Sequence, residues 1–144
     1  MKLPRPVIAG LAFLGLLALA WAQPQTAPQP ADDVLKRVTR LVNRLEQVNR
    51  TLQQDAQKKP AQAAQIQRVQ QLGAALSETV VRLRASLESY FALRNDQTLM
   101  ADPVMQKAAD QMRDHLGGVT DRLEQAVQVT EQMAKKLHFG TAGQ

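Results

Sequence analysis

Few residues of this chain could take part in chemistry, and their spacing is unfavourable for catalysis. His115 and His138 are the only two histidines in 144 residues, and there is no cysteine. Nucleophilic catalysis needs a Ser, Thr or Cys beside an oriented base, and thiolate metal sites need cysteine. A helical di-iron site uses Glu-x-x-His pairs, but Met112 and Lys135 stand three residues before the two histidines. We therefore predict no catalytic residue and no metal site.

A haem-type cofactor is the one ligand that the methionines and histidines suggest. Met105, Met112 and Met133 follow heptad spacing, and His115 lies beside them. Methionine at this spacing usually fills a helical core, and ligands on a single helix cannot face each other across a haem. We predict no cofactor, and we keep a ligand or haem-type carrier that uses the interior of the fold as the alternative function.

The overall charge is modestly basic. The chain has 18 basic and 13 acidic side chains, a net charge of +5. Lys2 and Arg5 belong to the first 22 residues. The rest of the chain has 16 basic and 13 acidic side chains, a net charge of +3. After residue 22 the only aromatic residues are Tyr90, Phe91 and Phe139, too few to form a platform on which bases stack. Charge and composition together argue against a nucleic-acid partner.

One stripe of basic residues stands out. Arg37, Arg40 and Arg44 recur at steps of three and four, which places them on one side of a helix. One interpretation is pairing with an acidic neighbouring helix, as between flanking positions of a coiled coil. The other is weak binding of an anionic partner, such as lipid headgroups, a polysaccharide or an acidic protein.

The first 22 residues have the features of a secretory signal. Lys2 and Arg5 precede an apolar stretch at residues 7–22, which ends in an Ala-x-Ala pattern. The stretch is at the short limit for a bilayer span, and a Gln/Pro-rich segment follows it. We predict that residues 1–22 are cleaved and that the protein is periplasmic or secreted. The alternative is a membrane anchor formed by an uncleaved N-terminal segment.

From Asp32 onward the apolar residues are spaced three and four apart, which predicts long helices. The predicted domain organisation is a signal peptide at 1–22, a disordered linker at 23–31, helices at about 32–57, 61–95 and 103–138, and a flexible tail at 140–144. The fold class is all-α, an antiparallel three-helix bundle of coiled-coil type. The predicted core rows are Val34, Val38, Leu41, Leu45, Val48 and Leu52 in the first helix; Ile66, Val69, Gly73, Leu76, Val80, Leu83, Leu87 and Tyr90 in the second; and Met105, Ala109, Met112, Leu116, Val119, Leu123, Ala126, Thr130, Met133 and Leu137 in the third.

Two positions leave the helix boundaries open. Pro60 favours a turn after the first helix, although the heptad phase continues across it and would also fit a single kinked helix. Gly117 and Gly118 disfavour a helix, but the heptad phase also continues through them. We predict one long third helix, capped by Asp102 with Pro103 in its first turn.

The expected junction between the second and third helices is rich in large apolar side chains. The first helix is shorter than the other two, so it is expected to leave this end, the tip, uncovered. The residues of the tip that we predict to bind a partner are Tyr90, Phe91, Leu93, Met100 and Met105. The predicted function is that of an exported, non-catalytic scaffold, adaptor or holdase-type chaperone that binds envelope proteins or a second copy of itself.

Overall fold

The computed structural model describes residues 30–140, and within this range the chain is almost entirely helical and contains no strand. The helices are α1 (Ala31–Lys58), α2 (Ala63–Asn95), the short α3 (Gln97–Met100) and α4 (Pro103–Phe139), with a 3-10 turn at Pro60–Gln62 between α1 and α2. The prediction of an all-α fold is confirmed. The predicted signal peptide, the linker up to residue 29 and the tail after residue 140 lie outside the described residues.

The three long helices each pack against the other two. The apolar row predicted for α1 is buried along its whole length, from Val34 to Leu52. The first half of α1 shares one buried cluster with the second half of α2, and its later residues Val48 and Leu52 share another with Ile66 at the start of α2. Because the spacing of three and four keeps one face of each helix apolar, the three faces meet in a common core. Within residues 30–140, no helix has both the length and the apolarity that a bilayer crossing requires.

The chain turns at Pro60 and does not continue as one kinked helix. Lys58 ends α1, and Pro60 stands at the first position of the 3-10 turn, where its missing N–H costs no hydrogen bond. At the start of α4, the Asp102 Oδ1 accepts a hydrogen bond from the Val104 N–H at 2.8 Å. α4 then runs unbroken through Gly117 and Gly118.

Gly73 allows α1 and α2 to approach closely. It is buried on α2, and a Cβ added at this position would lie 2.7 Å from the Asn49 Oδ1 of α1. The side of α2 that carries Gly73 therefore faces α1. Leu72 flanks the buried row of α2 on its other side, and that side is adjacent to α4.

The core-facing side of α4 differs from the prediction. Leu116, Leu123 and Thr130 are inside as expected, but Met112 and Met133 are exposed by 45% and 42%. Leu116, Leu123 and Thr130 belong to the central row of this side. The residues that flank it inside the core are not the methionines but Thr120, Val127 and Ala134. We call these three the inner row, and we call Met112, Val119, Ala126 and Met133 the outer row. Each outer-row residue stands three positions after a residue of the central row, and each inner-row residue stands four positions after one. Heptad spacing alone therefore allows either row to face the core.

Candidate interaction surfaces

Two of the three arginines in the predicted basic stripe pair within the molecule, across the interface of α1 with α4. The Arg37 Nε and Nη2 donate to the two carboxylate oxygens of Glu124 at 2.9 and 2.7 Å, and Nη2 also donates to Asp121. Arg44 makes the same forked contact with Glu131 at 2.8 and 2.7 Å. The residues of each pair are 87 positions apart, so the second pair lies one heptad after the first on both helices. This repeat means that α1 and α4 run in the same direction. Arg40 is exposed.

These contacts shift the protonation equilibria of their partners. The hydrogen bond from Arg37 lowers the pKa of Glu124, and the hydrogen bond from Arg44 lowers the pKa of Glu131. The pKa of Arg37 is raised for the reciprocal reason. Both carboxylates are therefore more strongly favoured in the charged form than in the unfolded chain.

A pair formed by a buried aspartate and a half-exposed histidine lies at the far end of the same interface. Asp55 is only 2% exposed, and both of its carboxylate oxygens lie 2.9–3.0 Å from the His138 Nδ1. The Lys59 Nζ donates to the main-chain oxygens of Leu137 and His138, where a cation complements the helix C-terminus. Sequence reasoning missed this cluster. The available signal was that Asp55 and Lys59 continue the heptad row of α1 as its next two members.

A groove of about 360 Å³ lies between α1 and α4 beside this cluster. Its charged lining includes Arg44 and Glu131, which already pair with each other, and His138, which pairs with Asp55. The Phe139 ring closes one side and is 69% exposed. Of the charged groups that line this groove, only Arg44 and Glu131 are engaged with each other, and Lys135 also contributes to the lining.

The predicted tip residues are brought together, but mostly inside the molecule. Tyr90 is 3% exposed and belongs to the main buried cluster, against which Phe91, Leu93 and Met100 pack. The Tyr90 and Phe91 rings meet edge to face with centroids 5.6 Å apart, and Met105 is half-buried. Ala31 and Leu35 of α1 also pack on this cluster, so α1 does not leave the tip open. The apolar surface that remains there comes from Leu99 and Val104.

The residues considered for haem lie outside the core. Met112 and Met133 belong to the exposed outer row, and His115 is exposed on the same helix. They do not face the interior, where the alternative function would place a cofactor. Among residues 30–140, no group of three or more His, Asp or Glu side chains is arranged to hold a metal ion.

A second surface, not anticipated from the sequence, lies where α2 meets α4. Ala126 and Met133 stand two residues after Glu124 and Glu131, so at 100° per residue they lie on the opposite side of α4 from α1. Leu72 lies on the side of α2 adjacent to α4. We call this surface the α2–α4 face. Its members are the apolar residues Leu72, Ala75, Met112, Val119, Ala126, Val129 and Met133 and the basic residues Arg68, Arg82, Arg122 and Lys136.

The α2–α4 face is apolar and basic. Leu72, Val129 and Met133 are 39%, 47% and 42% exposed. None of the residues assigned to this face is acidic, but the Glu78 carboxylate lies beside it and pairs with Arg82. Comparison with known family models, with curated proteins and with solved structures finds no match to this chain, so the surfaces themselves are the guide to its function.

Proposed function

We propose that this protein is an exported, non-catalytic component of the bacterial envelope that acts through protein–protein contacts as a scaffold, adaptor or holdase-type chaperone. Its fold in this proposal is an antiparallel three-helix bundle of coiled-coil type that follows a cleaved signal peptide. The pairwise packing of α1, α2 and α4 supports the bundle. Lys2, Arg5 and the apolar residues 7–22 support export.

The observation that carries the proposal is the exposure of Met112 and Met133, the two ends of the outer row of α4. Val119 and Ala126 between them are half-buried. A helix that packs only within its own molecule normally turns its more apolar stripe to the core. Here Met112 and Met133 face outward while Thr120 and Thr130 are fully buried. Contiguous apolar surface with a polar rim is characteristic of interaction sites.

Export is tested by fractionating cells that produce the full chain and sequencing the N-terminus of the protein they accumulate. We expect a periplasmic or secreted protein that begins at Gln23. A chain that keeps Met1 and sediments with the membrane would contradict cleavage and favour the anchored alternative.

The contact function is tested by photo-cross-linking in intact cells. A photoreactive amino acid at Met133 is expected to capture a discrete envelope protein. The matched control is the same amino acid at Lys36, an exposed position on α1. Equal capture from both positions, or none from either, would overturn the proposed contact function.

A further inference from the structure

The α2–α4 face presents the arrangement of a helical bundle that lacks one helix. α4 has two rows that could flank its central row. The more apolar one, the outer row, leaves Met112 and Met133 exposed, while its Val119 packs against the edge of the core. Thr120 and Thr130 are accommodated in the core because each hydroxyl donates to a main-chain oxygen one turn earlier, at 2.8 Å. The outer row runs from Met112 to Met133, about 30 Å at 1.5 Å per residue. A partner helix of about six turns would match that length.

The charges around this face identify the kind of helix that would fit. Arg68 and Arg82 stand on the α2 side, and Arg122 and Lys136 stand on the α4 side. Arg82 pairs with Glu78 one turn earlier on α2, and Arg122 is also engaged within the molecule, so Arg68 and Lys136 are the main charges that the face offers to a partner. The acidic residues of α4 that contact α1, Asp121, Glu124 and Glu131, lie on its other side. The face therefore attracts an acidic partner and repels a basic one.

We propose that the α2–α4 face binds an acidic amphipathic helix supplied by another protein, which docks as a fourth helix. This inference rests on the proposed contact function and specifies the partner. The apolar stripe of the partner, with residues at steps of three and four, packs against Leu72, Val119 and Met133. Its flanking Asp and Glu side chains meet the basic rim, chiefly Arg68 on α2 and Lys136 on α4. Methionine and aliphatic side chains suit such a groove because they adapt to the shape of a docked helix.

The observations disfavour the two other occupants. A second copy docked through the same face would bring two basic rims together, and like charges oppose association. A membrane surface is favoured by aromatic residues at the interface, and the α2–α4 face has none.

The test measures binding of three labelled synthetic peptides to the purified protein by fluorescence anisotropy. The first peptide is an acidic amphipathic helix with Leu at heptad spacing and Glu on both flanks. The second carries Lys in place of every Glu, and the third carries Ser in place of every Leu. We expect the first to bind at least about tenfold more tightly than either of the others, a difference of about 1.4 kcal/mol. Equal binding of the acidic and basic peptides would overturn the proposal.

Variants of the protein locate the site. R68E/K136E and M112Q/M133Q are each expected to weaken binding of the acidic peptide about tenfold or more. The control K36E/R50E makes the same change in net charge at exposed positions of α1 and is expected to bind like the unmodified protein. Unchanged binding by M112Q/M133Q, or equal loss in the control, would overturn the assignment to this face.

Two further measurements distinguish the alternative occupants. Sedimentation with anionic phospholipid vesicles that is lost in M112Q/M133Q, without peptide binding, would identify a membrane surface instead. A dimer detected by light scattering and abolished by M133Q would identify a second copy. Capture of a partner at Met133 in cells, combined with no charge preference among the peptides, would overturn this inference and leave the proposed contact function standing.

Discussion

α4 shows two different surfaces to the two helices beside it. Toward α1 its flanking positions are carboxylates, and Arg37 and Arg44 meet them in forked ion pairs. Toward α2 its flanking positions are Met112, Val119, Ala126 and Met133, and the nearby charges are basic. The α1–α4 interface is thus satisfied within the molecule, whereas the α2–α4 face keeps apolar surface in contact with solvent.

The difference shows which interaction sets the rotation of α4 about its own axis. To bring the outer row into the core, α4 would have to rotate about its axis by about 50°, which is half of the roughly 100° between successive residues. That rotation would bury two methionines, but it would carry Glu124 and Glu131 away from their arginines. Bidentate charge-assisted hydrogen bonds are among the strongest polar contacts in proteins. The observed rotation, with the less apolar row inside, is the one that keeps both ion pairs.

The largest expected effect is at the buried end of the α1–α4 interface. His138→Ala removes the hydrogen-bond partner of the buried Asp55 carboxylate, and we expect a loss of about 2–3 kcal/mol in the free energy of unfolding. Urea denaturation followed by circular dichroism measures it. In an Asp55→Leu background the same His138→Ala change should cost far less, because no buried charge is left unpaired. Equal costs in the two backgrounds would show that the pair is not coupled.

The next effect concerns the ion pair at the middle of the interface. Arg37→Met keeps the aliphatic stem but removes the hydrogen bonds to Glu124 and Asp121. The Arg37 side chain is 13% exposed, so we expect a loss of about 1–2 kcal/mol in the free energy of unfolding. Arg40→Met, at an exposed position in the same stripe, should stay within about 0.5 kcal/mol of the unmodified protein. Similar losses in both variants would remove the distinction between paired and exposed arginines.

Acid should weaken the α1–α4 interface specifically. The folded-state pKa values of Glu124 and Glu131 lie below the ordinary value of 4.5. Their stabilising contribution is therefore present above pH 4.5 and is lost as the pH falls through the folded-state pKa values. We expect the unmodified protein to lose more stability between about pH 6 and about pH 3 than R37M/R44M, which lacks the stabilising partners. Parallel melting-temperature profiles for the two proteins would contradict this origin.

The contrast between the two surfaces also explains what the sequence could predict. The apolar part of the core side of α1 follows from the sequence because Val34 to Leu52 form a single apolar row. On α4, two rows share the same central residues, and hydrophobicity favoured the wrong one. The choice depends on contacts with Arg37 and Arg44, which lie more than 80 residues earlier in the chain. The predicted row of α1 ends at Leu52 and omits Asp55, because the partner that accompanies its burial, His138, is equally distant in sequence.

The smallest expected effect is on the α2–α4 face, and it is the one that tests whether this surface is available to a partner. Met133→Gln removes a side chain that is already 42% exposed, and glutamine is a good helix former. We therefore expect the free energy of unfolding to change by no more than about 0.5 kcal/mol.

The adjacent residue supplies the matched control for this prediction. Ala134 is buried in the second core cluster, so Ala134→Gln should cost at least about 2 kcal/mol, through overpacking and burial of an amide. Urea denaturation of the two single variants, one residue apart, compares the outer row directly with the inner row. A loss of more than about 1 kcal/mol in Met133→Gln would mean that the outer row contributes to the core, since exposed positions seldom cost that much. In that case the α2–α4 face would not be free to receive a fourth helix.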